Sequence, residues 1–433
     1  MTQPTASSSK PRVAVPLTHE LLQRFKPSKV FKDAVDHSSS GPDSDSPRLQ
    51  ITSIAFDDSG EKCVTAGEDD VFNLWDARKG KKVKTLYSKK YGIDHARFTH
   101  RSQNIIHAST KLNDHAIRYH AMVENKYLSY FRGHTGRVRS LQMNPNDDTF
   151  LSAGDDGTVR LWDLRSPNCR GLLNDIGGSS IAAFDSSGIV FAVACSDTQT
   201  IMLYDCTSLD NVSAIRCHLH HIPLPTPGIV PFPKSRRCAP TADVYPFPSR
   251  IAFLLVPAAP FTHASLIDLV LADESSPPPK PIFTSLSFSN DGTYLLVGTS
   301  LSVHYVLDAF SLSLVRRLKG HSGLGLTTDI VPRRGTSGEE VSWSSDSKWV
   351  VSGSKDGQVV FWDIAQIQRS HEDAAGMENR RSETLLPQVV VEAERESRAV
   401  KFNPRYAMLA VGGEELSFWL PAVDEDAMMK EGY

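Results

Sequence analysis

The stretch FLSAGDDGTVRLWDL, Phe150 to Leu164, decides the fold. Thr158 to Trp162 alternates polar and apolar residues as a half-buried strand does. Phe150 to Ala153 reads as a second strand. Between them Asp156-Gly157 forms a hairpin turn, where glycine supplies the positive φ. The same arrangement recurs as CVTAGEDDVFNLWDA (Cys63 to Ala77) and VVSGSKDGQVVFWDI (Val350 to Ile364). In each copy a small hydroxyl residue is followed by Asp and then Trp at fixed spacing. The sets are Thr65/Asp69/Trp75, Ser152/Asp156/Trp162 and Ser352/Asp356/Trp362. Gly133-His134 precedes the second copy, and Gly320-His321 the third.

A Gly-His pair followed by a hairpin ending in Trp-Asp resembles the WD-repeat family, whose blades carry this signature. Weaker copies fill the gaps, at His95–Ala121, Ile181–Cys206, Phe283–Ala309 and Ala399–Leu420. Asp76 to Asp163 spans 87 positions, two blades of about 43 residues, and Asp163 to Asp205 spans 42. Both fit a period of about 40–45. The expected fold is therefore all-β, a seven-bladed WD-repeat β-propeller. A ring must close, and the N-terminal strand Ser28–Phe31 is expected to complete the last blade and remove its open edge.

The expected organisation follows. Residues 1–16 read as a disordered Ser/Pro-rich terminus. Residues 17–35 hold a short helix (His19 to Phe25) and the closing strand, and 36–50 a linker. Residues 51–210 form blades one to four, and 281–425 blades five to seven, with 426–433 a tail. Residues 211–280 are a Pro-rich insertion with neither strand alternation nor helix period. They are either a binding loop or translated non-coding sequence, and their composition favours the second, so their authenticity is in doubt. Within this insertion Ile251–Leu271 is long and apolar enough to span a membrane. It also holds Pro257, Pro260, His263 and Asp268 and lies between repeats of one ring, which argues against a span.

Composition narrows the function classes. The 433 residues carry 47 basic and 50 acidic side chains, a net charge of −3. This balance excludes a dominant electrostatic attachment to nucleic acid or to an anionic membrane, though not a local patch. Neither direct nucleic-acid binding nor membrane association is expected. The six cysteines form no CxxC pair and suit a reducing compartment. Cys217, His218, His220 and His221 with Cys238 are zinc-type residues at no standard spacing, so neither metal nor cofactor is expected.

His134, Ser152 and Asp156 contain the residue types of a nucleophilic triad. Their recurrence across blades suits a structural network instead, tying the Gly-His loop to the hairpin. The expected network residues are His134, Ser152, Asp156, Trp162, Thr65, Asp69, Trp75, His321, Ser352, Asp356 and Trp362. No enzyme is expected. Lys89, Lys90, Arg137 and Arg139 lead into inner strands of neighbouring blades. They form a candidate peptide-binding rim, suited to phosphate or carboxylate groups.

Several stretches are more distinctive than the repeat itself: LTHELLQRFKPSKVF (Leu17–Phe31), TLYSKKYG (Thr85–Gly92), NDHAIRYH (Asn113–His120), NKYLSYFRGH (Asn125–His134) and FSNDG (Phe288–Gly292). With the blade at Asp147–Cys169, they resemble the WD-repeat subunits of the COMPASS histone methyltransferase complex, a family also found in the cleavage and polyadenylation factor. The resemblance covers roughly 17–205 and 282–425. It implies a nuclear, non-catalytic scaffold, partnered by a SET-domain methyltransferase, other COMPASS subunits and polyadenylation-factor subunits. It also implies contact with the phosphorylated tail of RNA polymerase II. The alternative is the substrate-receptor propeller of a ubiquitin ligase, for which no docking module such as an F-box is visible.

Overall fold

Seven sheets, each built on an antiparallel meander, stand around one axis in the computed structural model, which describes residues 16–36, 48–111, 113–174, 176–206, 261–262, 280–325, 340–364 and 384–422. Blade one comprises Ile51–Phe56, Lys62–Gly67, Val71–Asp76 and Lys81–Tyr87, from the axis outward. Blade two is Asp94–Phe98, Asn104–Ala108, Ile117–Ala121 and Lys126–Phe131. Blade three is Val138–Met143, Thr149–Gly154, Val159–Asp163 and Ser166–Leu173. Each later blade repeats this meander, with departures that follow the sequence.

The outer strand of blade four is only Phe261–Thr262, paired with Ile201 and Thr200. These two residues fall inside the Pro-rich insertion, the rest of which, except Lys280, lies outside the described residues, as do the 251–260 and 263–271 parts of the apolar segment and the Cys/His cluster. Blade five gains a fifth strand. Thr384–Leu385 adds parallel to Leu314–Lys319 before the chain turns back to supply Val389–Glu392, the outer strand of blade six. Blade seven takes its outer strand from the other end of the chain. Phe25–Phe31 pairs antiparallel with Leu416–Pro421, from Phe25 opposite Pro421 to Phe31 opposite Leu416. The preceding helix, His19–Gln23, is capped by the Thr18 hydroxyl. The terminal segment 1–15, the linker residues 37–47 and the tail 426–433 lie outside the described residues.

The core sits between blades. Phe72, Leu74 and Leu86 of blade one pack on Phe98, Ile105 and Met122 of blade two. Trp75, Trp162 and Trp362 are fully buried, and burying a large apolar side chain contributes about 1.5–3 kcal/mol. The hairpin turns work as the sequence demands: Gly157 and Gly357 have φ of 68° and 83°. In blade one Asp70 takes the left-handed position at φ 63°, which Asp tolerates better than most residues.

Candidate functional site

The best-formed polar network lies in blade three. Trp162 Nε1 donates to Ser152 Oγ at 2.8 Å, and Ser152 Oγ meets His134 Nε2 at 2.7 Å. His134 Nδ1 meets the Asp156 carboxylate at 2.9 Å, and the Thr135 amide and Thr158 amide and hydroxyl also donate to that carboxylate. Burial by itself raises the Asp156 carboxyl. Its donors, led by His134, outweigh burial and hold it well below the usual carboxylate range. The order of residues resembles a catalytic triad, but Ser152 is fully buried and its oxygen is already used by the Trp162 indole. No face of it is open to a substrate.

Blade one holds a reduced version. Trp75 Nε1 donates to Thr65 Oγ1 at 2.9 Å, while Asp69 accepts from the amides of Asp36 and Val71. No Gly-His pair precedes this blade, and Asp69 anchors the N-terminal segment in its place.

The set in blade six is wired differently from the expected His321–Ser352–Asp356–Trp362 network. His304, on the third strand of blade five, stacks on His321 with centroids 4.0 Å apart. It displaces His321 from Ser352: His304 Nε2 contacts Ser352 Oγ at 3.1 Å, and its Nδ1 accepts from the Thr299 amide. His321 turns to the carbonyl of Leu301, Asp356 accepts from Ser322, and Trp362 donates to the Lys319 carbonyl. The motif spacing is intact, yet a histidine from the neighbouring blade rewires the bonds. Burial lowers the pKa of His321 to about 4, and burial together with the neighbouring His321 holds His304 well below the usual imidazole range.

The four rim residues divide into two pairs. Arg137 donates to Asp94 at 2.8 Å, and Asp94 is only 2% exposed. Arg139 donates to Asp155 at 2.7 Å. Both guanidinium groups are thus engaged, so the rim does not present four open cations. Lys89 and Lys90 are exposed and have no carboxylate partner among the described residues. Each stands over a tyrosine ring, Lys89 at 5.6 Å from the Tyr87 centroid and Lys90 at 5.1 Å from Tyr91.

A larger feature was not singled out in the sequence. At one mouth of the ring, all seven blades line a cavity of about 730 Å³. Its wall is the last residue of each inner strand: Phe56, Phe98, Met143, Phe184, Phe288, Trp343 and Phe402. A polar turn follows each, including Asp58, His100, Asn144, Asp185, Asn290 and Arg405. The recurrence of a large apolar residue before a turn of Asp, Asn, Ser or Thr is the sequence signal that marks it. Among the described residues, no group of His, Cys, Asp and Glu is arranged to hold a metal ion.

Seven blades around one axis, with a Trp indole bonded to a Thr or Ser hydroxyl inside blades one and three, define a WD-repeat propeller. The WD domain, G-beta repeat family matches residues 40–76, 125–163 and 312–363. WD repeat-containing protein 82 of Drosophila melanogaster is 32% identical over 417 residues, covering 95% of this chain and 99% of the fly protein. Set1 complex component swd2 of Schizosaccharomyces pombe is 31% identical over 432 residues, with coverages of 94% and 99%. COMPASS component SWD2 of Saccharomyces cerevisiae is 28% identical, covering 86% of this chain and 90% of the yeast protein. The chain belongs to the family of these proteins, WD repeat-containing protein 82 and the Swd2 components.

Proposed function

We propose that this protein is a non-catalytic scaffold subunit of a nuclear Set1/COMPASS-type histone lysine methyltransferase complex. The observation that carries this reading is the match to Set1 complex component swd2 across nearly the whole of both chains. The fold agrees with it. The one triad-like hydroxyl described above, Ser152, is buried and bonded to Trp162, while the outer surfaces of such a ring can hold several partners at once. The SET-domain methyltransferase is the first partner in this reading.

Coupling to transcribing RNA polymerase II, and a second place in mRNA 3′-end processing and transcription termination, extend the proposal. The rim would meet a phosphorylated polymerase tail through Lys89 and Lys90, because Arg137 and Arg139 are held by Asp94 and Asp155. A phosphate carries about −1.5 to −2 charges at pH 7, and an exposed lysine meets it as a point charge.

Affinity purification of the full chain from nuclear extract, followed by mass spectrometry, tests the assignment. Recovery of a SET-domain methyltransferase with the other subunits of its complex is the expected result. Recovery of cullin components without a methyltransferase would replace this reading with the ubiquitin-ligase receptor.

A further inference from the structure

The surface beside Lys89 and Lys90 holds more than charge. Tyr87 is 64% exposed and Tyr130 41% exposed, unusual for side chains of this size. Two sets of cation–ring contacts, adjacent in the chain at Lys89 and Lys90, run beside them. Lys89 stands over Tyr87 and Lys90 over Tyr91. The Arg118 guanidinium lies 4.0 Å from the Tyr91 centroid and 5.6 Å from that of Tyr130. Arg132, exposed and without a carboxylate partner among the described residues, stands 5.8 Å over the Tyr130 ring. Cations and rings therefore alternate from the end of the outer strand of blade one, across the loop that follows it, to the outer strand of blade two.

Two of the nearest carboxylates are already used: Asp70 is paired with Lys111 and Asp114 with Arg118. The strip is accordingly basic, although the whole chain has a net charge of −3. Its framework is fixed. Arg118 is buried and held by Ser109 and Asp114, so Tyr91 and Tyr130 are braced from behind.

We propose that this strip binds single-stranded RNA. Phosphates would meet Lys89, Lys90 and Arg132, and bases would stack on the Tyr87 and Tyr130 rings. Cations interleaved with exposed aromatic faces are what sequence-tolerant single-strand binding requires, because every base has a π-face. A phosphopeptide needs the cations but not the rings. The proposal shares Lys89 and Lys90 with the polymerase-tail reading, and the rings separate the two.

The test uses the full chain and a fluorescein-labelled 12-nucleotide oligo(U), read by anisotropy. The wild type should bind it, with affinity falling by about 20-fold between 50 and 200 mM salt, as about three phosphate contacts imply. Tyr87→Ala with Tyr130→Ala should weaken binding at least tenfold, whereas the Tyr→Phe pair should retain it. A phosphoserine peptide provides the second arm. Its binding should be lost in Lys89→Glu/Lys90→Glu and unchanged in the Tyr→Ala pair. If oligo(U) fails to bind, or binds the Tyr→Ala pair as well as wild type, the RNA site is wrong even where the phosphopeptide binds. If oligo(U) binds and the phosphopeptide does not, the RNA site stands and the tail contact at this rim is wrong.

Discussion

His134 and Asp156, 22 residues apart in the chain, meet at 2.9 Å and join the loop before blade three to its central hairpin. Beyond them lie Ser152 and then Trp162, so one carboxylate orders three other side chains.

Asp156→Ala should therefore destabilise the ring by about 1–3 kcal/mol, since it strands a buried imidazole and the Thr135 amide. Thermal melting should show this without selective loss of any one partner. The pH dependence has a definite sign. The folded carboxyl sits below its unfolded value, so its stabilisation is complete above about pH 4 and is lost as pH falls through the folded value. The melting gap between wild type and Asp156→Asn should narrow below pH 4.

His107 also loses stability on acidification, but for a different reason. It is fully buried, both ring nitrogens lack a partner, and it packs among Phe72, His120 and Tyr127. Burial, helped by His120 and Arg118, lowers its pKa to about 3. The unfolded chain thus binds a proton that the folded one refuses between about pH 6.5 and 3, and stability falls as pH drops through that window. His107→Phe should melt no lower than wild type at pH 7. It should also lose less melting temperature between pH 6.5 and 4.

Arg137 and Lys90 should separate cleanly. Arg137→Ala leaves the buried Asp94 with only His95 beside it, and losing the partner of a buried polar group costs about 1–3 kcal/mol. Lys90→Ala should change stability by less than about 0.5 kcal/mol. Chemical denaturation of both variants checks this, and it makes Lys90 the informative position for ligand work.

Removal of residues 1–35 should leave an insoluble or aggregated chain, because Leu416–Pro421 then loses its edge partner and Phe25 leaves the core shared by blades six and seven. Removal of residues 1–15, which leaves Leu17 and Phe25–Phe31 in the chain, is the control for loss of the closing strand. Soluble yield and size-exclusion chromatography distinguish the two truncations.

The blades were legible because Ser152, Asp156 and Trp162 sit at spacings that only a strand–turn–strand unit satisfies, and Thr65/Trp75 repeats the pattern. The closing strand was legible from four residues, Ser28–Phe31, although the ladder begins earlier, at Phe25. Other features were hidden for physical reasons. The partners of Arg137 and Arg139 are Asp94, on the neighbouring blade, and Asp155, across the hairpin, and a position before an inner strand does not reveal either. The rewiring of Ser352 depends on His304, a residue of another repeat that carries no motif. The axial cavity needs seven strand ends at once, so no single repeat announces it.

The closing strand also sets a timetable for synthesis. Phe25–Phe31 leaves the ribosome about 385 residues before Leu416–Pro421, the strand it pairs with. At about 5–20 residues per second, it waits roughly 20–80 seconds. During that interval it is an unpaired strand that could join any other chain. Lys26, Pro27 and Lys29 lie within it and Lys32 follows it, the residue types that keep a bare edge from pairing wrongly. The same lysines that look incidental in the finished ring are of the type that would guard the strand while it is still a chain.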